Sequence, residues 1–443
     1  MENTLNLDEV QLFNDRGIHF IKNNQVEEAI KYLDKAIDKD KLFLDAYYNK
    51  AIAYLSVEDF EKALQCYNDI LEIDPSQGVA YYQKGNIILF IKDDYEEAME
   101  LYNKAIFLGE KNSNLFNNIA LCNEKKGNID QAIGWNDKAI KLAPENIIFL
   151  NKKAELLAII GKFKESLEVY DSVLMKDVVN EEANHFKAIL LAQQEEYEAA
   201  LEFLDTAEEL SSNSLLLKFD RVLIYEKLGE IEKAIAAIKV CESLDAKNIE
   251  VLKKKAEVFF LDSNIDEALE VYDYIIELYP DNYEALFSKA NVLMLKKRFL
   301  EASKIYSDII VSSKDDNSYK INSYYYRALA LKSSDSSYIE AYEEAIKKYT
   351  NLALYYQYDF NIYMLKANSY RDIGKNIEAE EYYEFAIDLN PNFAEIYLMR
   401  AKNRIYSDKV AEAKKDIDKA LALNNNYRQL IELDEDLKRC FEL

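Results

Sequence analysis

Proline and glycine are scarce, at 4 and 9 residues in a chain of 443. A β-sandwich or barrel needs turn residues every 8–12 positions or so, and this chain cannot supply them. Two histidines and four cysteines leave nothing for a His-built metal centre, an iron–sulfur cluster or a disulfide framework. Cys66, Cys122, Cys241 and Cys440 stand far apart with no CxxC pair, and are expected as reduced, buried thiols. No run reaches the roughly 18–20 apolar residues of a membrane span. The opening MENTLNLDEV has no basic stretch followed by an apolar run, and Cys440-Phe-Glu-Leu is a poor prenylation box. The expected location is cytoplasmic. Positive charge is in deficit: 55 Lys and Arg against 81 Asp and Glu leave −26. So acidic a surface repels phosphate, which argues against nucleic acid and toward neutral or basic partners. Apolar residues are plentiful at 49%, beside 31% charged, so the chain has the material for a folded core.

A small residue recurs at Gly17, Ala51, Gly85, Ala120, Ala154, Ala188, Val222, Ala256, Ala290, Ala328, Ala367 and Ala401. Eight of the eleven steps between them are 34 residues. Number each unit so that this residue is position eight. A large apolar residue precedes it by four (Phe13, Tyr47, Tyr81, Phe116) and another follows by three (Phe20, Tyr54, Ile88). That spacing lines one face of a helix. Twelve residues on, a second small residue (Ala29, Ala63, Ala132, Ser166, Ala200, Ala268) opens a second stripe of the same kind. Each unit therefore predicts two amphipathic helices, A and B, whose small residues allow close approach. All four prolines, Pro75, Pro144, Pro280 and Pro391, fall at position thirty-two, where they stop helix B. Gly127, Gly161, Gly229 and Gly374 fall at position fifteen, where a helix cap calls for positive φ.

These residues resemble the tetratricopeptide repeat family over positions 10–427. The resemblance implies an all-α, right-handed α-solenoid superhelix of helix-turn-helix units. The family's frequent Trp at position four is replaced by Phe, Tyr or Leu, and Val222 is larger than usual at position eight. The organisation expected is an N-terminal tail over 1–9 and nine regular repeats over 10–316. An irregular repeat with an insertion over 317–359 is the one candidate boundary. Two more repeats over 360–427 and a capping helix over 428–443 complete the chain. Leu430, Leu433, Leu437 and Cys440 are expected to form the apolar face of that cap.

After the repeats are assigned, no residues remain for a catalytic domain, and no nucleotide loop, nucleophile elbow or HExxH motif is present. His19 and His185 lie far apart. No enzyme activity, cofactor or metal is expected. In the family, positions two, five, nine, twelve and thirteen of helix A line a concave groove. The resemblance places two apolar clusters there. The first holds Tyr48, Ile52, Leu55, Tyr82, Leu89 and Phe90, with Asn86 beside it. The second holds Phe219, Leu223, Phe260, Leu261, Phe287, Met294 and Leu295, with Asn291 beside it. Exposed aromatic patches mark contact surfaces, and an amide both donates to and accepts from a peptide backbone. The alternative is that tight winding buries these side chains between neighbouring A helices. Chaperone-binding members grip a C-terminal carboxylate through a set of Lys and Asn places; here Asn86 and Asn118 match, but Tyr82 and Ile148 stand at lysine places, so that clamp is not expected. The expected function is a non-enzymatic scaffold binding an extended peptide or partner helix in its groove. The alternative is a peptide-sensing regulator that changes superhelical pitch.

Overall fold

The computed structural model describes residues 2–442. Among the described residues there are 26 helices and no strand. Twenty-four form the expected A–B pairs. Repeat two pairs Leu44–Leu55 with Phe60–Ile73, repeat five Ile147–Ile159 with Phe163–Leu174, and repeat eight Ile249–Leu261 with Ile265–Leu278. The chain falls into two compact units, Met1–Leu217 and Lys218–Leu443. Repeats one to six lie in the first; the boundary falls in the first turn of Leu215–Leu228, helix A of repeat seven, and repeats eight to twelve and the cap lie in the second.

Within each repeat the two small positions seal the helix pair. Ala51 and Ala63 have no exposed surface, nor do Ala154 and Ser166, or Ala256 and Ala268. Position eight faces position twenty-four. At Gly85 an added Cβ would lie 2.6 Å from the ring of Tyr102, and at Gly17 2.6 Å from Leu33, so those two glycines are required by close approach. Val222 is accommodated with no exposed surface.

Every turn from A to B carries one residue at positive φ, although the turn of repeat three is one residue longer than the rest and that of repeat ten two residues longer. Gly127, Gly161, Gly229 and Gly374 have φ between +74° and +77°, as their position predicts. The other eight repeats place Asn24, Glu58, Asp93, Glu195, Ser263, Lys297, Asp335 and Asp408 there, each with φ between +51° and +66°. The turn geometry persists without glycine because the packed helices on either side dictate it.

Three expectations need correction. Residues 2–9 are not a tail: the first helix runs Glu2–Lys22, and Val10 is buried. The irregular repeat over 317–359 is not a boundary, and its extra residues, 317–320, run into its first helix. Asn317 caps a helix that runs Ser318–Ser333, its side chain accepting from the Lys320 N–H at 2.9 Å. The extra residues lengthen helix A of repeat ten, and packing continues across them: Phe287 lies 5.9 Å from Tyr319 and 5.4 Å from Tyr326 between ring centroids. The interruption thus lies inside the second unit. The C-terminal cap is two short helices, Tyr427–Leu433 and Glu435–Glu442. Its buried residues are Ile431, Leu437 and Cys440, while Leu430 and Leu433 face solvent. The break at Asp434 rotates the stripe; its carboxylate pairs with Lys402 and accepts from the Leu437 N–H.

Candidate functional site

Helix A carries the expected contact face, and position five divides in two. Asn14, Asn151, His185, Tyr325, Met364 and Leu398 are buried. Tyr48, Tyr82, Phe219 and Phe287 are half-buried. Packing between neighbouring A helices therefore takes part of this face, and the rest stays open to solvent.

In the first unit, Ile52 is 48% exposed and Phe90 58% exposed, an unusual amount for large apolar side chains on a rigid helix. Tyr48 leans edge-on against Tyr67 and donates weakly to Gln77 at 3.4 Å. Burial pushes its phenol up to about 12. Tyr82 packs against Tyr102 at 6.2 Å. Leu89 is buried and belongs to the core. Asn86 is engaged internally: its Oδ1 accepts from the Tyr102 hydroxyl at 3.0 Å and from Asn118 Nδ2 at 2.9 Å, and its Nδ2 donates to Gln83.

In the second unit, Asn291 accepts from the Tyr306 hydroxyl at 2.6 Å. The same pairing joins Tyr383 to Asn368. Asparagine at position nine opposite tyrosine at position twenty-four is thus a recurrent internal lock that occupies the amide oxygen. Phe287 is wedged among Tyr306, Tyr319 and Tyr326, so it packs as much as it presents. Phe219 is half-buried, and Leu223 is exposed.

Phe260 lines a pocket of about 340 Å³ set mainly between repeats eight and nine, together with Leu261, Asn291, Leu295 and Glu257, and with Glu226 reaching it from repeat seven. Leu261 is 50% exposed and Leu295 66% exposed. A pocket of about 420 Å³ lies between repeats five and six, lined among others by Glu155, Ile159, Tyr170 and Phe186. The sequence reading missed the second pocket and the carboxylates at both. The signal was there in the tetrapeptide Lys-Lys-Ala-Glu, which ends at Glu155 and again at Glu257.

A buried polar cluster at repeats ten and eleven was also missed. Arg371 and Asp372 pair at 3.0 Å with side chains only 7% and 8% exposed. Asp372 accepts from the hydroxyls of Tyr325 at 3.0 Å and Tyr342 at 3.1 Å. Arg371 donates to the hydroxyl of Tyr383 at 3.1 Å. Burial drives the phenols of Tyr325, Tyr342 and Tyr383 upward, so they stay protonated and act as donors to the carboxylate or acceptors from the guanidinium. With its groups paired, this cluster holds two repeats together.

Family models described as tetratricopeptide repeat match residues 44–77, 218–248, 254–317 and 360–393, and a domain of unknown function matches 87–169. A TPR repeat-containing protein of Methanocaldococcus jannaschii is 28% identical over 186 residues, 39% of this chain and 32% of that protein. DnaJ homolog subfamily C member 7 of Homo sapiens is 25% identical over 207 residues, 44% of this chain and 42% of that protein. The chain thus spans less than half the length of these relatives. Among solved structures, YrrB, described as a TPR protein with an unusual peptide-binding site, is 29% identical. The match covers 42% of this chain and 95% of that one, with a TM-score of 0.38. A tetratricopeptide repeat protein from Parabacteroides merdae is 20% identical, covering 58% and 98%, with a TM-score of 0.46. No helix among the described residues is long and apolar enough to cross a membrane. Helix pairs of this spacing, sealed by small residues at positions eight and twenty and matched by tetratricopeptide models in both units, make the chain a tetratricopeptide-repeat protein, of a family that mediates protein–protein interaction.

Proposed function

We propose that the chain is a non-enzymatic scaffold that binds an extended peptide or a partner helix along its A-helix face. The observation that carries this reading is the open pocket between repeats eight and nine, where Leu261 and Leu295 stand exposed around Phe260. Single exposed leucines are ordinary, but apolar side chains gathered around one open pocket mark a contact surface. Phe219, Leu223, Phe260, Phe287 and Asn291 are the proposed contacts in the second unit. Tyr48, Ile52, Tyr82, Asn86 and Phe90 are the proposed contacts in the first. Asn86 and Asn291 serve mainly by holding the tyrosines behind them, which leaves the apolar side chains as anchors. The partner is neutral or basic, in keeping with the −26 charge. A carboxylate clamp is not part of the proposal: Tyr82 packs on Tyr102, and Lys253 is already paired with Glu284 at 2.7 Å. Four buried cysteines far apart in sequence fit a reducing compartment, which favours the cytoplasm.

The test is selection of binders from a random dodecapeptide library displayed against the full chain. It is followed by titration of the selected peptides into a Leu223→Ser/Phe260→Ala variant. Binding is expected to weaken at least tenfold with the helical circular dichroism signal unchanged. Undiminished binding in a folded variant would place the peptide elsewhere and overturn this assignment.

A further inference from the structure

The two pockets are copies of one another. Glu155, Ile159, Tyr170 and Leu190 line one; Glu257, Leu261, Tyr272 and Val292 line the other, each 102 residues further along. That offset is three repeats of 34. The electrostatic frame is copied too. Lys152 bridges Glu124 at 3.2 Å and Glu155, and Lys254 bridges Glu226 at 3.2 Å and Glu257. Both lysine side chains are mostly buried, at 20% and 18% exposure, and neither lines its pocket. Each lysine therefore holds its glutamates from behind. Two carboxylates share one ammonium, so each frame retains a net charge of −1, and Glu257 keeps a solvent-facing side at 52% exposure.

We infer that each pocket receives a lysine or arginine side chain of a bound peptide. The aliphatic stem lies on the apolar wall, Ile159 and Leu190 in one copy and Leu261 and Val292 in the other. The cationic head meets the glutamate at position nine, whose unshared lone pairs face the cavity. Charge complementarity selects this occupant over a purely apolar one. A Phe or Leu side chain would fill the wall but would desolvate a carboxylate frame of net negative charge without compensation. The inference rests on the groove reading above and gives its partner a chemistry: an extended segment carrying basic side chains.

The same displayed dodecapeptide library, panned against the full chain, provides the test. Selected peptides are expected to carry Lys or Arg at a fixed position. Replacing that residue in the peptide by Met should weaken binding at least tenfold, and so should Glu155→Gln/Glu257→Gln in the protein. Combining the two should cost no more than either alone, and added salt should weaken only the unmodified pair. Thermal melting of the Gln variant confirms that it is folded. The inference is overturned if selected peptides lack a basic residue, or if the Met peptide loses as much against the Gln variant as against the parent. Peptides that respond to Leu223→Ser/Phe260→Ala but ignore the Gln changes leave the groove standing and remove only the basic occupant. Selection of no sequence at all removes both.

Discussion

At the scale of single residues, the turn after helix A shows how far local preference is overridden. Eight repeats hold a non-glycine residue at positive φ, including Glu195 and Lys297. A left-handed residue with a Cβ is strained by about 1–2 kcal/mol, against the roughly 0.5–1 kcal/mol of entropy that glycine loses on folding. Glu195→Gly and Lys297→Gly are therefore each expected to stabilise the protein by about 0.5–1 kcal/mol. Both side chains are exposed, so little packing is lost. Urea denaturation reads the gain; a loss of stability in both would show that the turn does not hold these residues as described. Glycine at four positions made the turn legible, but the other eight are set by the helices they join. The asparagine N-caps are a similar case: Asn112, Asn146, Asn180, Asn248 and Asn282 each accept a backbone N–H at the start of a helix A, a regularity the apolar pattern does not register.

Between elements, repeat ten departs most from its neighbours. Tyr349 sends its hydroxyl into helix A of its own repeat, donating to the Ile321 carbonyl at 2.9 Å and accepting from the Tyr325 N–H at 3.1 Å. Those two groups bond each other in an uninterrupted helix. The register of helix B was ambiguous in sequence between Ala341 and Ala345. The structure buries both alanines, with Tyr342 and Tyr349 seated inward beside them. Next to this junction Arg371 has its charge neutralised by Asp372. Asp372→Ala would leave the guanidinium buried and strand the Tyr342 hydroxyl. The expected cost is about 3–5 kcal/mol, measured by chemical denaturation. A change within experimental error would mean that water reaches the cluster and that it does not bind the repeats together. Nothing in the spacing of apolar residues foretells such a cluster, since its members come from helix A of repeat ten, helix B of repeat ten and both helices of repeat eleven.

For the whole chain, the four cysteines report on integrity. Cys66 and Cys122 lie in the first unit, Cys241 and Cys440 in the second, and all four are buried. Burial pushes the thiols of Cys66 and Cys122 up to about 11. At pH 8 the native protein should therefore react with a disulfide reagent such as 5,5′-dithiobis(2-nitrobenzoate) far more slowly than the unfolded chain, which should release four equivalents at once. Fast labelling of one thiol under native conditions would reveal a repeat that opens locally.

The 34-residue period, the small residues at positions eight and twenty, and the four prolines determined the helix pairs, because close packing admits few residue types at those places. What folding alone decided is which side chains of the A face stay open. Leu89 and Phe90 are adjacent and equally apolar, yet one is buried and the other exposed. Asn86 and Asn291 read as amides open to a peptide backbone, yet the Oδ1 of each already accepts from a tyrosine hydroxyl of helix B. A helix face becomes groove or core according to the angle at which its neighbours pack. That angle is a sum over many contacts between residues far apart in sequence, and no local spacing encodes it.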